Sequence, residues 1–256
     1  MKALFTWFLK HVPRPWLLRF SQWLRPFLDL WYRGQKHLDP INGKSYRSFL
    51  PYGYNKPRPN VLSPGSLSLE RHRLFWLYLE KETEFFSQTA KVLHLAPEQA
   101  FLGRFKKLKH LDYITADIES PLADVKADIC NLPFEKDSFD WVFCNHVLEH
   151  IEDDRKALSE LFRVMKPNGK AILQVPLDTE REHTYEDFNI KGPSERARAF
   201  GQYDHVRIYG LDYLNRLKDA GFDASIISYA QQLTDEERHL YRIPINEVIP
   251  MAVKPR

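Results

Sequence analysis

Residues 127–173 read ADICNLPFEKDSFDWVFCNHVLEHIEDDRKALSELFRVMKPNGKAIL, and this order constrains the fold more than any other part of the chain. An aspartate and a Leu-Pro-Phe turn lead into the apolar run 139–145, which ends in a polar cluster. An acidic start then opens the run 154–165, whose apolar residues recur at helical spacing. Lys166-Pro167-Asn168-Gly169 reads as its stop, and a second apolar run covers 170–175. A strand, a helix and a second strand in this succession predict a parallel pair joined by a crossover helix.

The same alternation extends in both directions. Strands are expected at 91–95, 113–116 and 125–129 and helices at 99–108 and 211–220. Two further strands at 224–229 and 247–253 can close the sheet antiparallel. The fold class is therefore α/β, a Rossmann-like seven-stranded and mostly parallel sheet with helices on both faces and its last strand antiparallel. A helical and irregular N-terminal extension covers residues 1–66. The main domain covers 67–256, opens on a helix at 68–86 and carries a less regular insert at 177–208.

The extension differs in chemistry from the body. Its first sixty residues carry eleven Lys and Arg against two Asp and Glu, although the whole chain has a net charge of only +3. Four of the six tryptophans lie before residue 35, and Trp16, Phe20, Trp23, Phe27 and Trp31 follow the three-to-four rhythm of one helical face. An aromatic face with basic flanks fits peripheral contact of residues 1–34 with a membrane surface, and equally packing on the body or on a second subunit. Lys10, His11, Pro13 and Arg14 interrupt the apolar run that a secretory signal needs, and no run is long enough to span a bilayer. With only Cys130 and Cys144, the chain reads as cytoplasmic, peripheral at the inner membrane surface if the front engages lipid.

Residues 35–66 are rich in Pro and Gly and read as irregular. Two tetrads, Asp39-Pro-Ile-Asn42 and Ser63-Pro-Gly-Ser66, have the rhythm and separation of zinc-ribbon knuckles. Their ligand positions hold a carboxylate, an amide and two hydroxyls, which cannot replace thiolates around structural zinc. They read as a ribbon-like loop pair without metal, or as two unrelated turns.

In an open α/β sheet the ligand lies beyond the carboxyl ends of the strands. Those ends carry His94, Ala96 and Glu98, then Asp117, then Asp128 and Ile129, then Asn145 and His146. This order, with Leu-Pro-Phe and Phe139-Asp140 between, resembles the cofactor half of class I S-adenosylmethionine-dependent methyltransferases of the type 11 kind, over about residues 92–229. The ribbon-like front is similar to the zinc ribbon that precedes some ribosomal RNA methyltransferases. The first resemblance implies S-adenosylmethionine as cofactor, with Asp117 on the ribose diol, Asp128 on the adenine amine and Ile129 along the ring. The first loop departs from the family: Ala96, Glu98 and Ala100 stand where glycines are usual. Glu98 then either meets the ammonium of the methionyl tail or obstructs it.

Methyl transfer from a sulfonium needs alignment and a proton acceptor, and it demands no metal. His146, His150 and His205 are the candidate acid–base groups. The polar insert, with His183, Tyr185, Asp204, His205 and Arg207, reads as a cover over the cleft or as an ordinary solvated loop. No set of residues shows catalytic metal spacing in the sequence. The expected partner is a small-molecule O or N acceptor. RNA and a non-catalytic scaffold on the same fold are the rival readings.

Overall fold

The structure, a computed structural model, describes residues 24–53 and 57–256. The aromatic face expected over residues 1–34 therefore lies mostly outside the described residues. The chain divides into two compact units, Met1–Tyr78 with Ala230–Glu247 and Leu79–Tyr229 with Val248–Arg256.

The second unit is built on one seven-stranded sheet. Its strands are β1 (Ala90–Leu95), β2 (Leu111–Asp117), β3 (Val125–Lys126), β4 (Phe139–Cys144), β5 (Met165–Ile172), β6 (Asp223–Ile227) and β7 (Ile249–Val253). Their order across the sheet is β6-β7-β5-β4-β1-β2-β3. The strands from β1 to β5 pair in parallel, whereas β7 lies antiparallel between β5 and β6. Helices α1 (Gln99–Phe105), α2 (Asp154–Val164), α3 (Pro193–Phe200) and α4 (Tyr213–Asp219) accompany the strands.

Period-two alternation sorts the side chains of β1 and β4 between the two faces. Leu93, Leu95, Val142 and Cys144 join a core with Leu158 and Leu161 of α2 and Tyr213 and Leu217 of α4. His94, Trp141 and Phe143 point the other way, into a ring cluster with Phe85 and with Phe105 of α1. Both faces are thus covered by helices, as a mostly parallel sheet requires.

Several expected boundaries move, each for a local reason. The third strand stops at Lys126 rather than 129, because the Asp128 carboxylate accepts the Cys130 N–H and turns the chain. Lys166-Pro167-Asn168-Gly169 is strand rather than helix stop. Helix α2 ends at Val164, and Met165 is already extended. Gly169 is required there, since a Cβ would stand 2.7 Å from the Lys166 carbonyl oxygen. The insert contains α3 and a short antiparallel pair, Tyr185–Glu186 with Arg207–Ile208.

The first unit corrects the irregular reading of 35–66. Arg33–Asp39 pairs with Lys44–Tyr46, and Leu50–Tyr52 pairs with Arg58–Leu62, both antiparallel. The two tetrads close against each other: the hydroxyls of Ser63 and Ser66 each donate to Asp39 Oδ2 at 2.5 Å. Asp39 Oδ1 accepts the Ile41 N–H at 3.0 Å, and both Asp39 and Ser63 are fully buried. Asn42 is not part of this cluster and donates instead to Tyr46 Oη. Nearby, the buried guanidinium of Arg73 donates to the carbonyls of Val61, Ser68, Tyr241 and Arg242. Burial lowers the Arg73 pKa to about 10 against the supporting charge of Asp39.

Candidate functional site

The strand order reverses between β1 and β4, since the chain winds outward through β2 and β3 on one side and through β5 on the other. Ligands of open sheets bind at such a reversal. The two residues that leave these strands, Ala96 after β1 and His146 after β4, both have left-handed backbone, with φ of 47° and 54°. A non-glycine residue held there carries strain of the kind that concentrates at functional sites. Ala96 therefore adopts a conformation usual for glycine, so the sharp exit from β1 is retained. The Ala96 N–H still donates to the Ala116 carbonyl at 2.9 Å.

His94, Glu98 and Asn145 come together. The His94 ring is buried between the Tyr113 hydroxyl on Nδ1 and the Glu98 carboxylate on Nε2, each at 2.6 Å. His94 thus faces the ring cluster, and Glu98 links it to Asn145. Glu98 is the N-cap residue of α1 without capping it by its side chain. Its carboxylate is drawn back toward β1, and the Asn145 amide approaches it at 3.5 Å. Asn145 Oδ1 and both polar atoms of the Gln174 side chain are buried and unpartnered. Gln174 follows β5 and fixes the neighbouring exit, because its carbonyl accepts the His146 N–H at 2.7 Å.

Asp117 and Asp128 close their own turns. Asp117 Oδ1 accepts the N–H groups of Glu119 and Ser120, and Asp128 Oδ1 accepts that of Cys130. Each carboxylate is thereby oriented through one oxygen. Ile129 is buried in the main core.

The three histidines gather around Glu149, which sequence reasoning passed over. Glu149 lies in the 3-10 turn Leu148–His150 and is 2 % exposed. Its Oε1 pairs with His146 Nδ1 at 3.2 Å, and Oε2 is buried without a partner. Burial alone would raise the Glu149 carboxyl, but the His146 hydrogen bond and the His146 and His150 charges bring it below its ordinary value. His150 and His205 meet edge to face with ring centroids 4.8 Å apart. Burial lowers the pKa of His205, opposed by the Glu149 charge.

The insert is fixed at its base by Arg207, which is fully buried. Its guanidinium donates to the carbonyls of Leu148, Ile151 and Glu152 and to the Glu186 carboxylate. Glu186 and Asp154 in turn share Arg216. The one sequence signal for Glu149 was its place beside His150 just past a strand end. His205 lies more than fifty residues away and joins it only through the fold.

Residues 81–173 match the family described as "Methyltransferase domain". The matched segment spans β1 to β5 of the sheet. A demethylmenaquinone methyltransferase of Oceanobacillus iheyensis is 32% identical over 155 residues, which are 55% of this chain and 63% of that protein. The uncharacterized methyltransferase YcgJ of Bacillus subtilis is 27% identical over 139 residues, 46% of this chain and 55% of its own. A solved S-adenosylmethionine-dependent methyltransferase from Mesorhizobium loti, 15% identical, aligns over 71% of this chain and 98% of its own, with a TM-score of 0.48. The chain spans less than two thirds of the length of the curated relatives it matches.

Proposed function

We propose that this chain is an S-adenosylmethionine-dependent methyltransferase acting on an O or N atom of a small-molecule acceptor. The observation that carries the reading is the coincidence of the matched domain with the β1/β4 reversal, where strained Ala96 and His146 and the unpartnered buried atoms of Asn145 and Gln174 lie at strand ends. Buried polar atoms of this kind are costly unless a ligand or water satisfies them, so the residues present fit a polar cofactor. Asp117 would hold the ribose diol and Asp128 the adenine amine, with Ile129 along the ring. Ala96 and Asn145 would line the methionyl end, and Glu98, steadied by His94, would meet its ammonium. When bound, the cofactor supplies a methyl group on a sulfonium.

The chain's own residues orient the acceptor and take its proton. His146 suits that task by geometry: Nδ1 faces the buried Glu149 carboxylate, so a proton there leaves Nε2 as the acceptor. His150 and His205 stand beside this pair. The small-molecule acceptor is favoured by relatives named for demethylmenaquinone and for 2-phytyl-1,4-naphtoquinone. Peripheral membrane contact is favoured by Phe27, Leu30 and Trp31, exposed on a helix over 24–31, and by the basic charge of the first sixty residues. Among the described residues no helix is long and apolar enough to cross a membrane.

Titration calorimetry tests the reading. Saturable binding of S-adenosylmethionine by the folded chain is expected, and no binding at millimolar cofactor would refute it. Co-sedimentation with anionic vesicles and with RNA across a salt series separates the partners. A steep salt-dependent RNA interaction without vesicle binding would move the acceptor class to RNA.

A further inference from the structure

We propose that Glu149, His150 and His205 form a binding site for one divalent transition-metal cation of the zinc type. Each offers one ligand atom, and the three atoms lie within 4.8 Å of one another. Glu149 and His205 are 2 % and 5 % exposed, while the His150 side chain is a third exposed. The site is therefore walled by protein and open on one side.

The independent observation is Glu149 Oε2. It is a buried carboxylate oxygen with no hydrogen-bond partner, although two imidazoles stand close by. A buried carboxylate oxygen without a hydrogen-bond partner is costly, and a cation meeting it would offset that cost. One carboxylate with two imidazoles is a donor set of catalytic zinc sites that keep a coordination position free. Calcium and magnesium take oxygen ligands, so two nitrogens select against them.

The surroundings hold the ligands as metal sites require. Nδ1 of His150 stands 3.2 Å from the Asp204 carbonyl and 3.6 Å from its carboxylate. A proton on Nδ1 directed there leaves Nε2 as the ring's lone-pair donor, which is the outer support usual for metal-bound histidine. Oε1 of Glu149 is occupied by His146, which leaves Oε2 as the coordinating oxygen. The ligand-bearing segments are also tied by backbone: the Val206 N–H donates to the Glu149 carbonyl at 2.9 Å. A cation here would offset the Glu149 charge, and an acceptor hydroxyl at its free position would lose its proton more readily. That last role rests on the methyltransferase reading; the site itself does not.

The test uses tag-free, chelator-treated full-length protein without cofactor or acceptor. Zn²⁺ is titrated by calorimetry and Co²⁺ by visible absorption, with circular dichroism to confirm folding. One Zn²⁺ per chain and a ligand-field spectrum of few-coordinate Co²⁺ are expected. His150→Ala and His205→Ala should each weaken Zn²⁺ binding at least about tenfold. His183→Ala, on an exposed ring outside the cluster, should leave it unchanged. If His205→Ala does not fold, the partly exposed His150 decides. Absence of Zn²⁺ and Co²⁺ binding in folded wild-type protein, or unaltered binding in every folded variant of the two histidines, overturns the proposal. Neither result bears on S-adenosylmethionine affinity, so the two readings fail separately.

Discussion

Replacing Asp39 by alanine tests how the paired turns of the first unit are held. Asp39 accepts three hydrogen bonds, from the Ile41 N–H and from the hydroxyls of Ser63 and Ser66. Hydrogen bonds to a charged group contribute about 1.5–3 kcal/mol each where no water replaces them. The substitution also leaves two hydroxyls buried and removes the negative charge that favours the buried guanidinium of Arg73. The two hydroxyls retain some capacity to bond elsewhere, and Arg73 keeps its carbonyls. The net loss therefore falls near the cost of breaking a buried ion pair, about 3–5 kcal/mol. Asp39→Asn keeps an acceptor oxygen but not the charge and should lose about half as much by the same principles. Urea unfolding gives the total, and hydrogen exchange locates it. The N–H groups of Ile41, Gly43 and Leu67, which close the two turns onto Asp39 and Ser63, should lose protection together. A loss below about 1 kcal/mol for Asp39→Ala, the scale of one ordinary hydrogen bond, with those amides still protected, would show that backbone pairing and not the carboxylate joins the turns.

Four further outcomes are expected. Asp117→Ala and Asp128→Ala should each weaken S-adenosylmethionine binding by about tenfold or more, the equivalent of one charge-assisted hydrogen bond, with unchanged far-UV dichroism; unchanged calorimetric affinity in both would misplace the cleft. Ala96→Gly should raise stability by about 0.5–1 kcal/mol in thermal unfolding, because glycine adopts φ of 47° without the Cβ penalty; a loss of stability would show that the methyl group packs. Gly65→Ala should destabilise, since a Cβ would run into Tyr46 Oη and Asn42 Nδ2, and a neutral substitution by urea titration would contradict that close approach. His37 is buried between the His239 carbonyl and the Asn60 amide, and burial lowers its pKa from 6.5 to about 4. The unfolded chain then binds the proton more readily, so the contribution is whole above pH 6.5 and is lost as pH falls toward 4; His37→Gln should flatten that part of the stability curve.

The central sheet was legible because its strands obey short-range rules. Each is a brief apolar run, and polar residues mark where each run ends. The same logic found Ala96, Asp117, Asp128, Asn145 and His146 at strand ends. It misjudged Lys166–Gly169, where Pro and Gly suggested a helix stop but the sheet extends β5 through them. It also missed the strands within 35–66, which are three to seven residues long and are interrupted by Pro and Gly. The helix Asp235–Tyr241 escaped notice because it has no buried face; its Thr234 capping box with Glu237 was the only signal. His94 was placed on the cofactor by position alone, whereas strand alternation turns its ring to the opposite face. Glu149 with His205 is a contact between segments far apart in sequence, which no local pattern encodes, whereas the matched rhythm of the two tetrads did point to the closure of Ser63 and Ser66 on Asp39.

The footing of the insert by Arg207 has a consequence for how such a protein diversifies. Glu186 and Arg207 clasp each other at the two ends of the segment between them, and Arg207 reaches from there to three carbonyls of the 148–152 turn. Residues 188–202 therefore form a segment held at both ends by this clasp, to which Arg196 adds a contact with Glu152 and Phe200 a contact with Tyr185 from within. A change of length or composition away from Arg196 and Phe200 would leave this clasp and the 148–152 turn in place.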